Sequence, residues 1–129
     1  MAPLGELERA VMTRLWDHGP SDVKAVHRAV GEKRGITLNT VQSTMERLFR
    51  KGLLRREKVS HAFLYAPTVS HAEYGTALVH DLMKQVGAPG AEPVLSAFVE
   101  YAARNGEENL DRLEALIAAR RGKRKKEKR

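Results

Sequence analysis

The chain has no cysteine, which removes disulfides, zinc fingers, iron–sulfur ligation and thiol catalysis together. Aromatic residues make up only 5%, although a hydrophobic content of 42% is enough for a core. No apolar run approaches the roughly 18 residues that a membrane span needs, and the opening MAPLGELERAV lacks a signal-peptide pattern. The expectation is a soluble, cytoplasmic protein with no membrane insertion. Catalytic constellations are missing too. His18, His27, His61, His71 and His80 are scattered, without the carboxylate spacing of a metal site or a catalytic pair. GEKRG, residues 31–35, lacks the pattern of a phosphate-binding loop. Neither an enzyme nor a metal or cofactor protein is expected.

Positive charge, by contrast, is abundant and unevenly placed. The net charge is +7 over 129 residues. Residues 1–70 hold 12 Lys/Arg against 7 Asp/Glu, residues 71–119 hold 3 against 8, and the last ten hold 8 against 1. Within residues 33–58, eight basic side chains face two acidic ones. Such a local basic concentration is the electrostatic footprint of a nucleic-acid face.

That concentration flanks TLNTVQSTMERLFRKG, residues 37–52. Val41, Met45 and Leu48 recur at helical spacing, with Thr44 and Phe49 beside them, so one face is buried. The other face carries Asn39, Gln42, Ser43, Glu46, Arg47 and Arg50, with Thr40 at its edge. Thr37 suits the N-cap and Gly52 the left-handed residue that ends a helix. Amides and hydroxyls followed by arginines are the groups that read base edges and hold phosphates. Taken alone, the same pattern is commoner on ordinary solvated helices, and the neighbouring segments decide.

Upstream, Leu4, Leu7, Val11, Met12, Leu15 and Trp16 step by three or four, predicting a helix from Leu4 to His18 that Gly19-Pro20 stops. Ser21 is expected to cap a second helix with Val23, Val26, His27 or Ala29, and Val30 inside, and His27 reads as a structural residue. GEKRG is a polar break before the third helix. Two helices and a short turn make a helix-turn-helix pattern. Downstream, LLRREKV and AFLYAPT predict a β-hairpin about Ser60-His61 with Pro67 at its end, which is a wing. Arg55, Arg56, Lys58 and His61 are its candidates for phosphate contact.

Ser70 to Glu73 is a capping box that opens a long helix carrying Tyr74, Leu78, Leu82 and Val86 as a stripe. GAPGAEP, residues 87–93, reads as a hinge-like break. Two more amphipathic stretches follow, around Leu95 and Phe98, and around Leu110, Leu113, Leu116 and Ile117. These stripes are too small a core to stand alone, so burial against a second copy is expected. Residues 120–129 contain no apolar side chain and are expected to be disordered. They suit either a solubilising terminus or a sequence-blind grip on phosphates.

Three segments, LW-x-x-GP, TV-x-x-x-x-x-RL-x-x-KGLL and Y-x-P, occur in an order that resembles the penicillinase-repressor (BlaI/MecI-type) winged-helix regulators. The likeness is strong over residues 4–86 and looser over 94–119. It implies a homodimeric repressor on a dyad-symmetric operator, with Asn39, Thr40, Gln42 and Ser43 as base readers and Arg47, Arg50, Lys51 and the wing on phosphates. In antibiotic-sensing members a membrane sensor-protease cuts an Asn–Phe bond. The matching bond here is Ala97–Phe98, where the asparagine is missing. The cysteine cluster of copper-responsive relatives is also absent.

The expected fold is mainly α with a small hairpin: a winged helix-turn-helix over residues 1–69, a helical dimerisation region over 70–119, and the basic tail. The competing expectation is a winged helix that serves as a protein-interaction module without sequence-specific DNA binding.

Overall fold

The computed structural model describes residues 4–86 and 91–128, which fall into two compact units, Met1–Asp81 and Leu82–Arg129. In the first unit, α1 spans Glu6–His18 and turns Val11, Met12 and Leu15 inward. It starts two residues later than Leu4, because Gly5 is the N-cap residue and its N–H is taken by the Glu8 carboxylate at 3.1 Å. Glu6 and Glu8 in the first turn complement the helix dipole. Gly19, at φ 82°, ends the helix.

The short helix α2 (Val23–Val26) is capped by Asp22, whose side chain accepts from the Ala25 N–H at 2.8 Å. The expected cap, Ser21, is used otherwise. Its backbone exchanges hydrogen bonds of 3.1 and 2.9 Å with Tyr65, adding one residue of strand pairing beside the hairpin. Helical structure then continues as a π turn, His27–Gly31, and a 3-10 turn, Glu32–Arg34. The expected polar break is therefore mostly helical, and Gly35 at φ 68° reverses the chain. Gly31 has to be glycine for want of space: a Cβ there would lie 2.6 Å from His27 Cδ2 and 3.2 Å from Val41 Cγ2. His27 Nε2 bonds the Ile36 carbonyl at 2.8 Å, so this histidine holds the turn together.

Helix α3 spans Leu38–Arg50, with Thr37 as its cap and Val41, Thr44, Met45 and Leu48 buried. Gly52 at φ 83° releases the chain into β1 (Leu54–Val59), which pairs antiparallel with β2 (Ala62–Pro67). Leu54 faces Pro67 and Val59 faces Ala62, leaving Ser60 and His61 as the two-residue turn. Leu53, Leu54 and Tyr65 close the core around α1 and α3.

Helix α4 spans His71–Val86 and begins with the reciprocal Ser70–Glu73 box, both bonds at 3.0 Å. Its first turns belong to the winged-helix core. The Trp16 indole N–H donates to the Val69 carbonyl at 2.9 Å, and the ring stacks on His71 with centroids 4.4 Å apart. Tyr74 is buried beside it, and Leu78 packs on the same cluster. Tyr74, buried, and Leu78, half-buried, both expected at a dimer interface, pack against the core of their own unit. The first unit runs on to Asp81, within α4.

In the second unit, α5 (Ala91–Arg104) and α6 (Glu107–Glu127) pack on each other, and Val94, Leu110 and Leu113 are half-buried. Four residues of the expected hinge, 87–90, lie outside the described residues, and its last three open α5. Residues 120–127, expected to be disordered, continue α6. Lysine and arginine are good helix formers, extension needs no new nucleus, and cations near a helix C-terminus are favoured by its dipole.

Candidate nucleic-acid interface

The cap at Thr37 and the buried stripe of α3 fix which side of that helix meets solvent. Asn39, Thr40, Gln42 and Ser43 are all exposed in its first two turns. With Glu46, Arg47 and Arg50, three of them (Asn39, Gln42 and Ser43) line one shallow surface groove. Gln42 also borders a second groove, enclosed by α2, the start of α3 and the wing, where Lys24, His61 and Phe63 are neighbours. Thr40 Oγ1 lies 3.0 Å from Thr37 Oγ1, so its hydroxyl is partly engaged in the cap.

The cations expected on phosphates divide into free and engaged groups. Arg47 and Arg50 remain 57% and 78% exposed, with long ion pairs to Glu8 (3.9 Å) and Glu46 (3.5 Å), and Arg47 also donates to the Thr44 hydroxyl at 3.5 Å. Arg55, Lys58 and His61 are exposed on the wing. Strand alternation puts Arg55 on the face opposite Arg56 and Lys58.

Lys51 differs from expectation. Its ammonium donates to the Glu8 carboxylate at 2.7 Å and ties the end of α3 to α1. This bond holds the Glu8 carboxyl below its usual 4.5, helped by the Gly5 N–H and by the charges of Lys51 and Arg47, against a smaller opposing effect of burial. Arg56 departs further from the sequence expectation. Its guanidinium lies 3.9 Å from the centroid of the Phe49 ring and 4.6 Å from that of Phe63, and donates to Glu46 and to the Tyr65 hydroxyl. Arg56 thus joins α3 to the wing instead of facing solvent.

Glu8 and Glu46 were not singled out by sequence reasoning, since an acidic residue beside a basic face carries no periodic signal. One hint existed. In a chain with three phenylalanines and three tyrosines, Phe49, Phe63 and Tyr65 all surround one arginine.

Of the expected dimer residues other than Tyr74 and Leu78, Leu82, Val86, Leu95, Phe98, Leu116 and Ile117 are exposed, and Leu110 and Leu113 are half-buried. Ala97 and Phe98 lie within α5. Among the described residues, no helix is long and apolar enough to cross a membrane, and no group of His, Asp and Glu could hold a metal ion.

Comparison with known proteins gives this geometry a family. The model of the penicillinase repressor family matches residues 4–119. The transcriptional regulator BlaI of Mycobacterium tuberculosis is 33% identical over 116 residues, covering 89% of this chain and 83% of that protein. The penicillinase repressor of Bacillus licheniformis is 23% identical over 105 residues, covering 81% and 82%. The solution structure of the DNA-binding domain of the repressor BlaI matches with a TM-score of 0.50 at 25% identity, over 55% of this chain and 87% of that one. A structure of H. salinarum RosR, at 23% identity and a TM-score of 0.51 over 92% and 94%, shares the fold. The chain belongs to the penicillinase repressor family and is a transcriptional repressor that binds DNA.

Proposed function

We propose that the repressor acts as a homodimer on a dyad-symmetric operator, each copy laying the start of α3 in a major groove. Asn39, Thr40, Gln42 and Ser43 read base edges there. Arg47 and Arg50 hold the phosphates on either side, with Arg55, Lys58 and His61 of the wing. The observation that carries this reading is the exposure of those four polar side chains on the opening turns of a helix whose other face is locked into the core. An amide such as Gln42 pairs bidentately with adenine in the major groove, and hydroxyls accept either partner.

The dimer reading is supported by the exposed apolar side chains Leu82 and Val86 on α4, Leu95 and Phe98 on α5, and Leu116 and Ile117 on α6. Burying such side chains contributes roughly 1.5–3 kcal/mol each. Release of the DNA fits a cut at Ala97–Phe98 by a membrane sensor-protease, because that bond divides α5 between its exposed Leu95 and Phe98.

Selection of bound sequences from a random DNA pool tests the proposal. The expected product is an inverted repeat whose half-sites lie about one helical turn, or a multiple of it, apart. Gln42→Ala should relax one base pair in each half-site at a cost of about 1–3 kcal/mol. Asymmetric sites, or an unchanged preference in the variant, would refute it. A protein-interaction module would select no sequence at all.

A further inference from the structure

Glu46 is out of place on a surface that meets phosphates. It lies on the exposed face of α3, one turn beyond Gln42 and Ser43, and lines the same groove as they do. An acidic group there repels DNA. What the structure gives in return is an anchor for Arg56. The Glu46 carboxylate accepts from Arg56 Nη1, and the same nitrogen lies 3.4 Å from the Tyr65 hydroxyl. The guanidinium packs against Phe49 of α3 at 3.9 Å and against Phe63 of β2 at 4.6 Å. Its side chain is only 23% exposed. Two elements that must touch DNA at once are thus joined through one planar cation, with Glu46 and Phe49 on one side and Phe63 and Tyr65 on the other. A two-stranded hairpin is marginally stable by itself, and this cluster ties the wing to α3, in addition to the Ser21–Tyr65 bridge and the Trp16–Val69 bond.

We infer that Arg56 is a positioning residue: with Glu46 it sets the wing against α3, so that wing cations and base-reading side chains engage one stretch of duplex in register. The inference rests on the DNA-reading role of α3 proposed above. It makes Glu46 favourable for operator binding despite its charge, and it denies Arg56 a phosphate of its own. Lysine could replace arginine at a phosphate, but its point charge cannot reproduce a planar group lying against two rings.

The test compares Glu46→Gln, Arg56→Lys, Arg56→Gln and the double variant Glu46→Gln/Arg56→Gln in the full-length protein. Affinities for the selected operator and for random DNA are measured across a salt series well below the melting temperatures. Glu46→Gln should weaken operator binding about tenfold although it removes a negative charge, and the double variant should be no worse than Arg56→Gln, as for groups that act as one unit. Arg56→Lys should lose as much as Arg56→Gln. The losses should exceed those on random DNA, which simple destabilisation would not produce.

The inference is overturned if Glu46→Gln tightens binding to both DNAs, or if Arg56→Lys restores affinity. It also fails if Arg56→Gln loses equally on both DNAs with a salt slope reduced by about 0.9 per copy, the mark of a lost phosphate contact. A DNA-free readout separates its failure from failure of the base-reading role. Hydrogen exchange of the β1 and β2 amides should quicken in the Glu46 and Arg56 variants while α1 stays protected, and unchanged wing exchange would sink the positioning role even if Gln42→Ala behaves as proposed.

Discussion

Replacing Glu8 by Gln should destabilise the winged helix by an amount that depends on pH. In the native protein the carboxylate takes the Lys51 ammonium at 2.7 Å, has Arg47 Nε at 3.9 Å, and accepts the Gly5 N–H at 3.1 Å. Glutamine keeps an acceptor for Gly5 but turns neutral beside two cations. The Glu8 side chain is 13% exposed and that of Lys51 42%. The pair therefore stands between surface bridges worth about 0–1 kcal/mol and buried ones whose breakage costs about 3–5. About 1–2 kcal/mol is expected near neutral pH, or a fall in Tm of roughly 5–10 °C for a unit of this size. Because the folded-state pKa of Glu8 lies below the ordinary 4.5, this stabilisation is complete above that value and disappears as the pH falls through the folded-state pKa. Thermal or urea denaturation of both proteins, at fixed protein concentration, should show a gap that is wide at neutral pH and closes as the pH falls below the folded-state pKa of Glu8. Other carboxylates titrate in both and cancel in the difference. A gap of equal width at both ends of the range would show that Glu8 acts through packing and refute the electrostatic account.

Gly31→Ala places a methyl group against His27 and Val41 where no room exists, so a loss of about 1–3 kcal/mol is expected from overpacking. Chemical denaturation measures it, and a neutral result would mean the π turn can relax. Removing residues 120–129, which carry eight basic side chains and one acidic one, should lower the salt dependence of binding to operator and random DNA alike. Each lost phosphate contact reduces the slope by about 0.9. An unchanged slope would leave that end of α6 a solubilising feature.

Much of the fold is legible in the sequence because its signals are local. The stripe of α3, its Thr37 cap and its Gly52 exit lie within one stretch, and the hairpin announces itself through a change of period after Gly52. Its exposed polar face is legible for the same reason, since burial of Val41, Met45 and Leu48 determines where Asn39 and Gln42 point. Other features depend on partners distant in the chain. Lys51 and Glu8 are 43 positions apart, and neither residue's surroundings announce the pairing. The Ser21–Tyr65 bridge is made by backbone groups, which have no residue signature. The stripe of α4 shows that one side is covered but not by what, so Tyr74 and Leu78 pack against the core of the winged helix instead of a partner. The tail, whose residues 120–127 continue α6, is a different case: missing apolar residues exclude a packed core, not a helix that extends a formed one.

The Trp16 contacts tie the start of α4 into the winged helix. A fragment ending at residue 69 would keep the helix-turn-helix and the wing. It would strip His71 and Tyr74 from the indole, remove the cover that Leu78 gives the core, and leave the Val69 carbonyl at a frayed end. The winged-helix head reaches instead to Asp81, about two-thirds of the way along α4. Grafting this head onto a different assembly module would therefore call for a join inside a continuous helix, where the heptad phase of the incoming segment decides the fit, and not at a loop.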